Sequence, residues 1–195
     1  MEKIGADPLR WMYARQNPVF NLKFGYGPAR EIKRKLLTLY NVFSFFKTYV
    51  DKKEFPRKIV LEIERKSALD RWIVSRLNNL IEKVTRDLDR YKASSAILAI
   101  ERFFVDDLSL WYIRRSRKRF QRKHEGRKEA IETLYYVLFN LTRIIAPVIP
   151  FIAEKMYSAL KTKGMPESIH LCGWPKAEKE KINKTRDKHN KEKCP

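Results

Sequence analysis

Residues 106–120 read DDLSLWYIRRSRKRF, and the chemical character of the chain changes within this stretch. The first half is an apolar run that carries Trp111 and Tyr112. The second half is basic and contains Arg114, Arg115, Arg117, Lys118 and Arg119. In a helix, the first half is suited to burial and the second half to contact with concentrated negative charge. The stretch therefore predicts a helical scaffold that presents a basic surface.

Hydrophobic residues recur at spacings of three and four over most of the chain, which is the period of an amphipathic helix. We predict a short helix with Asp7 as its N-cap and Pro8 at its first position. Longer helices follow over about 28–50, 67–91, 95–120, 129–148 and 150–163. At the start of the helix over 67–91, Ser67 and Asp70 have the spacing of a capping box, although the usual partner is Glu or Gln. No run with the period of a β-strand is long enough for a sheet. The predicted fold class is all-α, an antiparallel helical bundle with a short extended segment near 167–175.

The helix over 95–120 is predicted to bury the stripe Ile97, Ile100, Phe104, Leu108 and Trp111. Antiparallel packing places the early part of the preceding helix beside the C-terminal end of this one. Trp72 and Arg76 are therefore predicted to border the basic surface. Trp72 lies on the apolar stripe of its own helix, which favours a core position for it.

The chain of 195 residues has a formal net charge of +20, and an excess of that size destabilises the compact state unless a polyanion uses it. Nucleic acid is the first candidate, and an anionic membrane surface is the second. No apolar run approaches the roughly 20 residues that span a bilayer, and no signal region opens the chain. Cys172 and Cys194 lie far apart and suggest neither a disulfide framework nor a zinc site. We expect a cytoplasmic protein without membrane contact.

Residues 114–128 hold nine Lys or Arg side chains and one acid, Glu125. A helix dipole favours one or two cations at its C-terminus, but it does not account for nine. Arginine leads the run, and guanidinium planes both bind phosphates and stack on bases. RNA contact is the interpretation that this pattern favours. A solvated charged face and an acidic protein partner remain as alternatives.

Enzymatic motifs are absent from the sequence. There is no G-x-x-x-x-G-K-[ST], G-x-G-x-x-G or G-x-S-x-G, and His, Cys and Glu show no metal-ligand spacing. We therefore predict no catalysis by this chain and no cofactor in it.

Five segments, taken together and in order, resemble the anticodon-binding domain of class I aminoacyl-tRNA synthetases of the Ile/Val/Leu subgroup. The segments are GADPLRW (5–11), LDRWIVSRLN (69–78), DDLSLWYIRRSRKRF (106–120), APVIPFIAEKMY (146–157) and ESIHLCGWP (167–175). The WYIRRSRKRF part is similar to isoleucyl-tRNA synthetases in particular. The resemblance implies a monomeric tRNA-binding domain that recognises the anticodon arm of isoleucine tRNA. Valyl or leucyl relatives, and a non-specific basic RNA-binding module, are the alternatives.

The resemblance also implies a division of the chain. Residues 1–27 would be a connector to a catalytic domain of the same polypeptide, with Trp11 and Tyr13 packed against that domain. Residues 28–175 would form the bundle, and 176–195 a polar, mobile or truncated tail. The HIGH and KMSKS segments are missing, so ATP and Mg²⁺ would bind outside this chain. The implied RNA-binding residues are Trp72, Arg76, Asn79, Trp111, Arg114, Arg115, Arg117, Lys118, Arg119 and Phe120.

Overall fold

The computed structural model describes residues 4–56, 61–64 and 66–182, and within these ranges the protein is helical and has no β-strand. Its six α-helices of ten or more residues are α1 (Ala6–Arg15), α2 (Tyr26–Tyr49), α3 (Ala68–Asp89), α4 (Ala93–Arg102), α5 (Arg127–Ile145) and α6 (Pro150–Leu160). Helix α4 continues without a break as a π-helix (Phe103–Ile113), one α-helical turn (Arg114–Ser116) and a 3-10 turn (Arg117–Phe120). The predicted all-α fold class is confirmed.

Helix α3 runs antiparallel to the continuous helix over 93–120, whereas α2 runs parallel to that helix. Early in α2, Lys35 Nζ lies 2.7 Å from Glu101 Oε1, and near its end the ring of Phe45 lies 5.1 Å from that of Phe120. The bundle therefore has two ends. We call the one that carries residues 114–120 the basic end, and the one that carries α1 and the α5–α6 turn the α1 end.

Helix α1 is part of the bundle core. The Trp11 side chain is fully buried, its Nε1 donates to Glu101 Oε2 at 3.2 Å, and its ring lies 5.9 Å from that of Phe104. The expectation that Trp11 packs on another domain is therefore wrong, because its apolar surface is already covered here. Tyr13 keeps 40% of its surface exposed.

Asp7 caps α6 and does not cap α1, contrary to the prediction. Helix α1 starts at Ala6, one residue before Asp7, after Gly5 with its positive φ of 93°. The Asp7 carboxylate accepts the backbone N–H of Ile152 at 2.6 Å in the first turn of α6. The first N–H groups of any helix lack a partner within that helix, so a carboxylate from a distant segment serves as well as a local one.

The buried stripe of the 93–120 helix differs from the prediction at one position. Tyr112 is fully buried, whereas Trp111 is half-buried. The interior residues recur every four positions, at Phe104, Leu108, Tyr112, Ser116 and Phe120. An α-helix of 3.6 residues per turn drifts away from such a repeat, and the wider π turns over Phe103–Ile113 absorb the drift. The sequence prediction used the period of a uniform α-helix and therefore placed Trp111, not Tyr112, in the buried stripe.

Tyr91 ends α3 in the left-handed region, with φ of 57°. Its N–H donates to Leu88 O at 2.9 Å, and the N–H of Lys92 donates to Asp87 O at 2.7 Å. This pair of bonds is the Schellman motif, which usually places glycine at the left-handed position. The Tyr91 side chain is 96% exposed, so side-chain packing does not explain the strained backbone.

Replacing Tyr91 with Gly should therefore stabilise the domain by about 0.5–1 kcal/mol, because the left-handed strain disappears while unfolded-state entropy rises slightly. Lys92 is the matched control. It is equally exposed but has a negative φ of −93°, so Lys92→Gly should destabilise by a similar amount. Urea unfolding measures both changes, and equal effects of the two variants would contradict the assignment of strain to Tyr91.

The segment after α6 differs from the prediction in two ways. It is extended over fewer residues than 167–175, and it contacts the bundle beyond residue 175. Ser168 and Cys172 are extended, but Ile169–Leu171 between them forms a 3-10 turn whose cap is the Ser168 side chain. Beyond residue 175 the chain stays on the bundle up to 182. The N–H of Glu178 donates to Asn78 Oδ1 at 2.8 Å, and Tyr136 Oη donates to Glu178 Oε1 at 2.5 Å. Residues 176–182 therefore contact the bundle, and 183–195 lie outside the described residues; a mobile or truncated tail stays a prediction.

Candidate nucleic-acid interface

A buried carboxylate holds the basic end together. Asp70 is fully buried and accepts hydrogen bonds from the Tyr112 hydroxyl at 2.8 Å and from Ser67 Oγ at 2.8 Å. Ser67 Oγ in turn accepts the N–H of Asp70 at 3.2 Å, which confirms the predicted N-cap of α3. Asp70 therefore joins the start of α3 to the end of the 93–120 helix.

Arg119 completes this network as a two-pronged ion pair. Its Nη1 and Nη2 donate to Asp70 Oδ1 and Oδ2 at 2.9 and 2.6 Å. Burial by itself lowers the pKa of Arg119, but the hydrogen bonds and charge of Asp70 outweigh it and raise that pKa above its usual value. Burial, reinforced by Asp70, raises the pKa of the Tyr112 hydroxyl well above normal, so this group stays protonated and donates.

Two predicted RNA-binding residues thus face the protein interior. Arg119 directs both prongs of its guanidinium to Asp70, and Phe120 is fully buried against Phe45. Arg119 is mostly covered and bonded to Asp70, and Phe120 is fully buried, so neither side chain presents a free surface here; their direct RNA contact stays a prediction. Arg127, another member of the basic run, forms an ion pair with Glu54 through two hydrogen bonds. These hydrogen bonds from Arg127 hold the pKa of Glu54 below its usual range.

The remaining cations of the run point outward. Arg114, Arg115, Arg117 and Lys118 are exposed. Within the part of the chain that the structure describes, Arg114 and Lys118 form neither a salt bridge nor a side-chain hydrogen bond. Arg117 lies 5.8 Å from the Phe45 ring. These side chains form a surface on the helix end that Asp70 anchors through its hydrogen bonds to Tyr112 and Arg119. We call residues 114, 115, 117 and 118 the basic patch.

Aromatic side chains back one side of the basic patch. The Arg115 guanidinium lies 3.7 Å from the centroid of the Trp111 ring, and Trp111 lies 6.1 Å from the ring of Trp72. Trp72 itself is 5% exposed, so it supports Trp111 from the interior and does not reach the surface. Trp72 therefore offers almost no surface for direct RNA contact, which stays a prediction. The exposed layer of this stack is Arg115.

Arg76 and Asn79 face the part of the adjacent helix between Ser95 and Asp107, and Arg76 has an internal partner there. Its Nε and Nη2 both approach Asp107 Oδ2 at 2.9 Å. The two residues line a groove of about 380 Å³ between α3 and the 93–120 helix, together with Lys83, Ser95 and Arg102. Arg76 is thus held rigidly at the rim by a carboxylate that sequence reasoning did not identify.

Of the buried acids Asp70 and Asp107, which pair with Arg119 and Arg76, only Asp70 had a signal in the sequence. Asp70 follows the N-cap serine at the capping-box position, which suggested a local role; its function as the partner of Tyr112 and Arg119 needed the packed fold. Asp107 stands in a helix beside Asp106, and the sequence does not distinguish the two. In the structure Asp107 is buried and Asp106 is exposed.

Two further features were sought in the described ranges, a metal-ligand group and a membrane-spanning helix. No three His, Cys, Asp or Glu side chains there are grouped as metal ligands. No helix there is both long enough and apolar enough to span a bilayer.

Comparison with known proteins identifies the family. The family of anticodon-binding domains of tRNA ligases matches residues 70–193. The isoleucine–tRNA ligase of Clostridium tetani is 41% identical over 191 residues, which is 94% of this chain and 18% of that protein. The isoleucine–tRNA ligase of Thermus thermophilus is 37% identical over 185 residues, or 91% of this chain and 18% of that one. The chain thus spans about a fifth of the length of these relatives.

A solved structure has the same fold. The crystal structure of a ternary complex of Agrobacterium radiobacter K84 agnB2 LeuRS, tRNA and LeuAMS matches with a TM-score of 0.64 at 20% identity. The match covers 93% of this chain and 21% of that one.

Proposed function

Because the chain belongs to the family of anticodon-binding domains of tRNA ligases, we propose that its basic patch binds the anticodon arm of isoleucine tRNA. The observation that carries the proposal is the exposed pair of cations Arg114 and Lys118 beside the Trp111–Arg115 stack, on a helix end that buried Asp70 holds in place. The similarity to isoleucine–tRNA ligases of several bacteria supports the choice of tRNA.

Two kinds of contact follow from the geometry of the patch. Arg114 and Lys118, without internal partners in the described chain, bind phosphates of the loop and stem as charged donors. Arg115 offers the outer face of a guanidinium already layered on Trp111, and an unpaired loop base stacks on that face. Such a stack contributes about 1–3 kcal/mol per base. Arg76 and Asn79 extend the polar surface along the neighbouring groove.

Competition between tRNAs tests this function. The 195-residue chain should bind an isoleucine tRNA transcript more tightly than a valine tRNA transcript in a filter-binding competition at fixed salt. The affinity should also fall with rising salt, with a log–log slope of about −0.7 for each phosphate contact in the single-stranded loop. A preference for valine or leucine tRNA would assign the domain to another ligase of the subgroup. Equal affinity for all tRNAs would leave only a non-specific RNA-binding module.

The remaining parts of the proposal concern the longer protein. We propose that this chain works as one domain of an isoleucine–tRNA ligase, with residues 1–27 towards the catalytic part and the bundle reaching the anticodon. ATP and Mg²⁺ then bind in that catalytic part, and the chain alone does not catalyse aminoacylation. The ligase would act in the cytoplasm as a monomer.

A further inference from the structure

Glu101 is a buried carboxylate at the α1 end of the bundle, and it is only 7% exposed. Its Oε2 accepts the N–H of Trp11 Nε1 at 3.2 Å and lies 3.2 Å from Arg15 Nε, and both of these residues belong to α1. Its Oε1 accepts a hydrogen bond from Lys35 Nζ of α2 at 2.7 Å. Because Glu101 itself lies in α4, one side chain joins α1, α2 and α4.

The groups around Glu101 compensate its charge. A buried carboxylate is stable as an ion only where cations and hydrogen-bond donors replace water. Burial lowers the pKa of Lys35, but its hydrogen bonds to Glu101 and Glu31 outweigh burial and raise that pKa, so the ammonium group stays charged. Without the carboxylate, the cations of Lys35 and Arg15 would repel each other across the contact of α1 with α2.

Helix α1 is attached to the bundle at two places. Near its start, Asp7 accepts an N–H of α6, and Arg10 donates to two carbonyl oxygens of the α5–α6 turn at 2.7 and 3.0 Å. Its second half is attached at Trp11 and Arg15, the two residues that contact Glu101. Two attachment points fix the direction of a helix, whereas one point lets it pivot. Glu101 therefore fixes the angle between α1 and the bundle.

A change in the angle of α1 has a large effect at the basic patch, because the patch lies at the opposite end of the bundle. Helix α3 has 22 residues and is therefore roughly 33 Å long. Over that length, a rotation of about 10° displaces the far end by roughly 6 Å. A displacement of about 1 Å at reacting atoms can lower a rate about 100-fold.

We propose that Glu101 is a positioning residue for aminoacylation: it holds α1 at a fixed angle, so that a tRNA bound at the basic patch reaches the catalytic part of the ligase in the reactive position. This inference rests on the proposed function, in which residues 1–27 lead towards that catalytic part. Glu101 does not contact the tRNA, and it acts through Trp11 and Arg15.

The variant Glu101→Gln of the complete ligase tests this role. Its kcat for aminoacylation at saturating isoleucine tRNA should fall by at least about 10-fold. Its rate of isoleucine activation, measured as ATP–pyrophosphate exchange, should stay at the wild-type value, because no tRNA is present in that assay. The same change in the 195-residue chain should leave the affinity for isoleucine tRNA unaltered, because the basic patch is at the other end of the bundle.

Glu31→Gln is the matched control. Glu31 also pairs with Lys35, at 3.2 Å, but both residues lie in α2 and the Glu31 side chain is 62% exposed. The kcat of this variant should equal that of the wild type. Arg15→Gln is a second test that does not remove the buried acid. It deletes one of the contacts of α1 with Glu101, so kcat should fall by a smaller factor.

Hydrogen exchange of the short chain measures the attachment of α1 without tRNA. In Glu101→Gln the amides of α1 should exchange at least about 10-fold faster, while those of α5 keep the wild-type rate. Unchanged exchange in α1 would overturn the inference, and so would an unchanged kcat in both folded variants. A loss of tRNA affinity in the short chain that matches the loss of kcat would also overturn it, because Glu101 would then act through the basic patch.

Failure of the proposed function gives a different result. In that case the wild-type short chain does not bind isoleucine tRNA, whereas the exchange of α1 still differs between Glu101→Gln and the wild type.

Discussion

Replacing Asp70 with Asn should lower the free energy of unfolding by about 3–5 kcal/mol, because the change leaves the Arg119 guanidinium in a largely buried position without its counter-charge. The Tyr112 hydroxyl and Ser67 also lose an ionised acceptor. For a chain of this length the loss corresponds to a decrease in Tm of roughly 6–20 °C. Urea unfolding and thermal melts followed by circular dichroism measure it.

Asp106→Asn is the control for this variant. Asp106 makes an exposed pair with Arg102 at 4.0 Å in the same helix as Arg119, and such pairs contribute about 0–1 kcal/mol. A double-mutant cycle adds a second check: Arg119→Met combined with Asp70→Asn should destabilise less than the sum of the single changes, because neither partner then remains alone. Equal stability of the Asp70 and Asp106 variants would contradict the role assigned to the buried network.

Reversing three charges of the basic patch should weaken tRNA binding without unfolding the bundle. In Arg114→Glu/Arg115→Glu/Arg117→Glu the cations that face phosphate become anions, and we expect a loss of roughly 100-fold or more at low salt. The salt slope should also decrease in magnitude by about 0.7 for each phosphate contact that is lost, including that of Arg114. All three are exposed, so the circular dichroism spectrum should stay that of the wild type.

The matched control reverses three cations at the other end of the bundle. Arg86, Arg90 and Lys92 are exposed, and changing them to Glu alters the net charge by the same amount. They lie at least roughly 24 Å along α3 from Asp70, beyond the Debye length at physiological salt. Equal losses of affinity in the two triple variants would mean that net charge, and not the basic patch, governs binding.

The positions of the helices were predictable because helix formation depends on local spacing. The period of three and four placed the six helices, and Ser67 was identified as a cap because its partner lies three residues away. The period gave the wrong buried residue where the helix is not a uniform α-helix. In the π-helix Phe103–Ile113, Tyr112 is buried in place of Trp111. Local sequence also gave the wrong helix for the cap Asp7, because its carboxylate accepts an N–H group at the start of α6, far along the chain.

The candidate site was predictable in its chemistry and only partly in its members. The basic run was evident from composition, and the antiparallel arrangement brings Trp72 of α3 next to Trp111. The sequence does not show which arginines form ion pairs within the protein, because their acidic partners are far away along the chain. Asp70 lies 49 residues before Arg119, and Glu54 lies 73 residues before Arg127.

The sequence by itself therefore determined an all-α bundle and a basic helix end, since both follow from neighbouring residues. The tertiary structure alone decided the role of each cation in that end. Burial against Asp70 converts Arg119 into a structural support, while exposure leaves Arg114 and Lys118 free for a polyanion. The physical reason is that a charge is committed internally only where folding brings a buried, oppositely charged partner within hydrogen-bond distance.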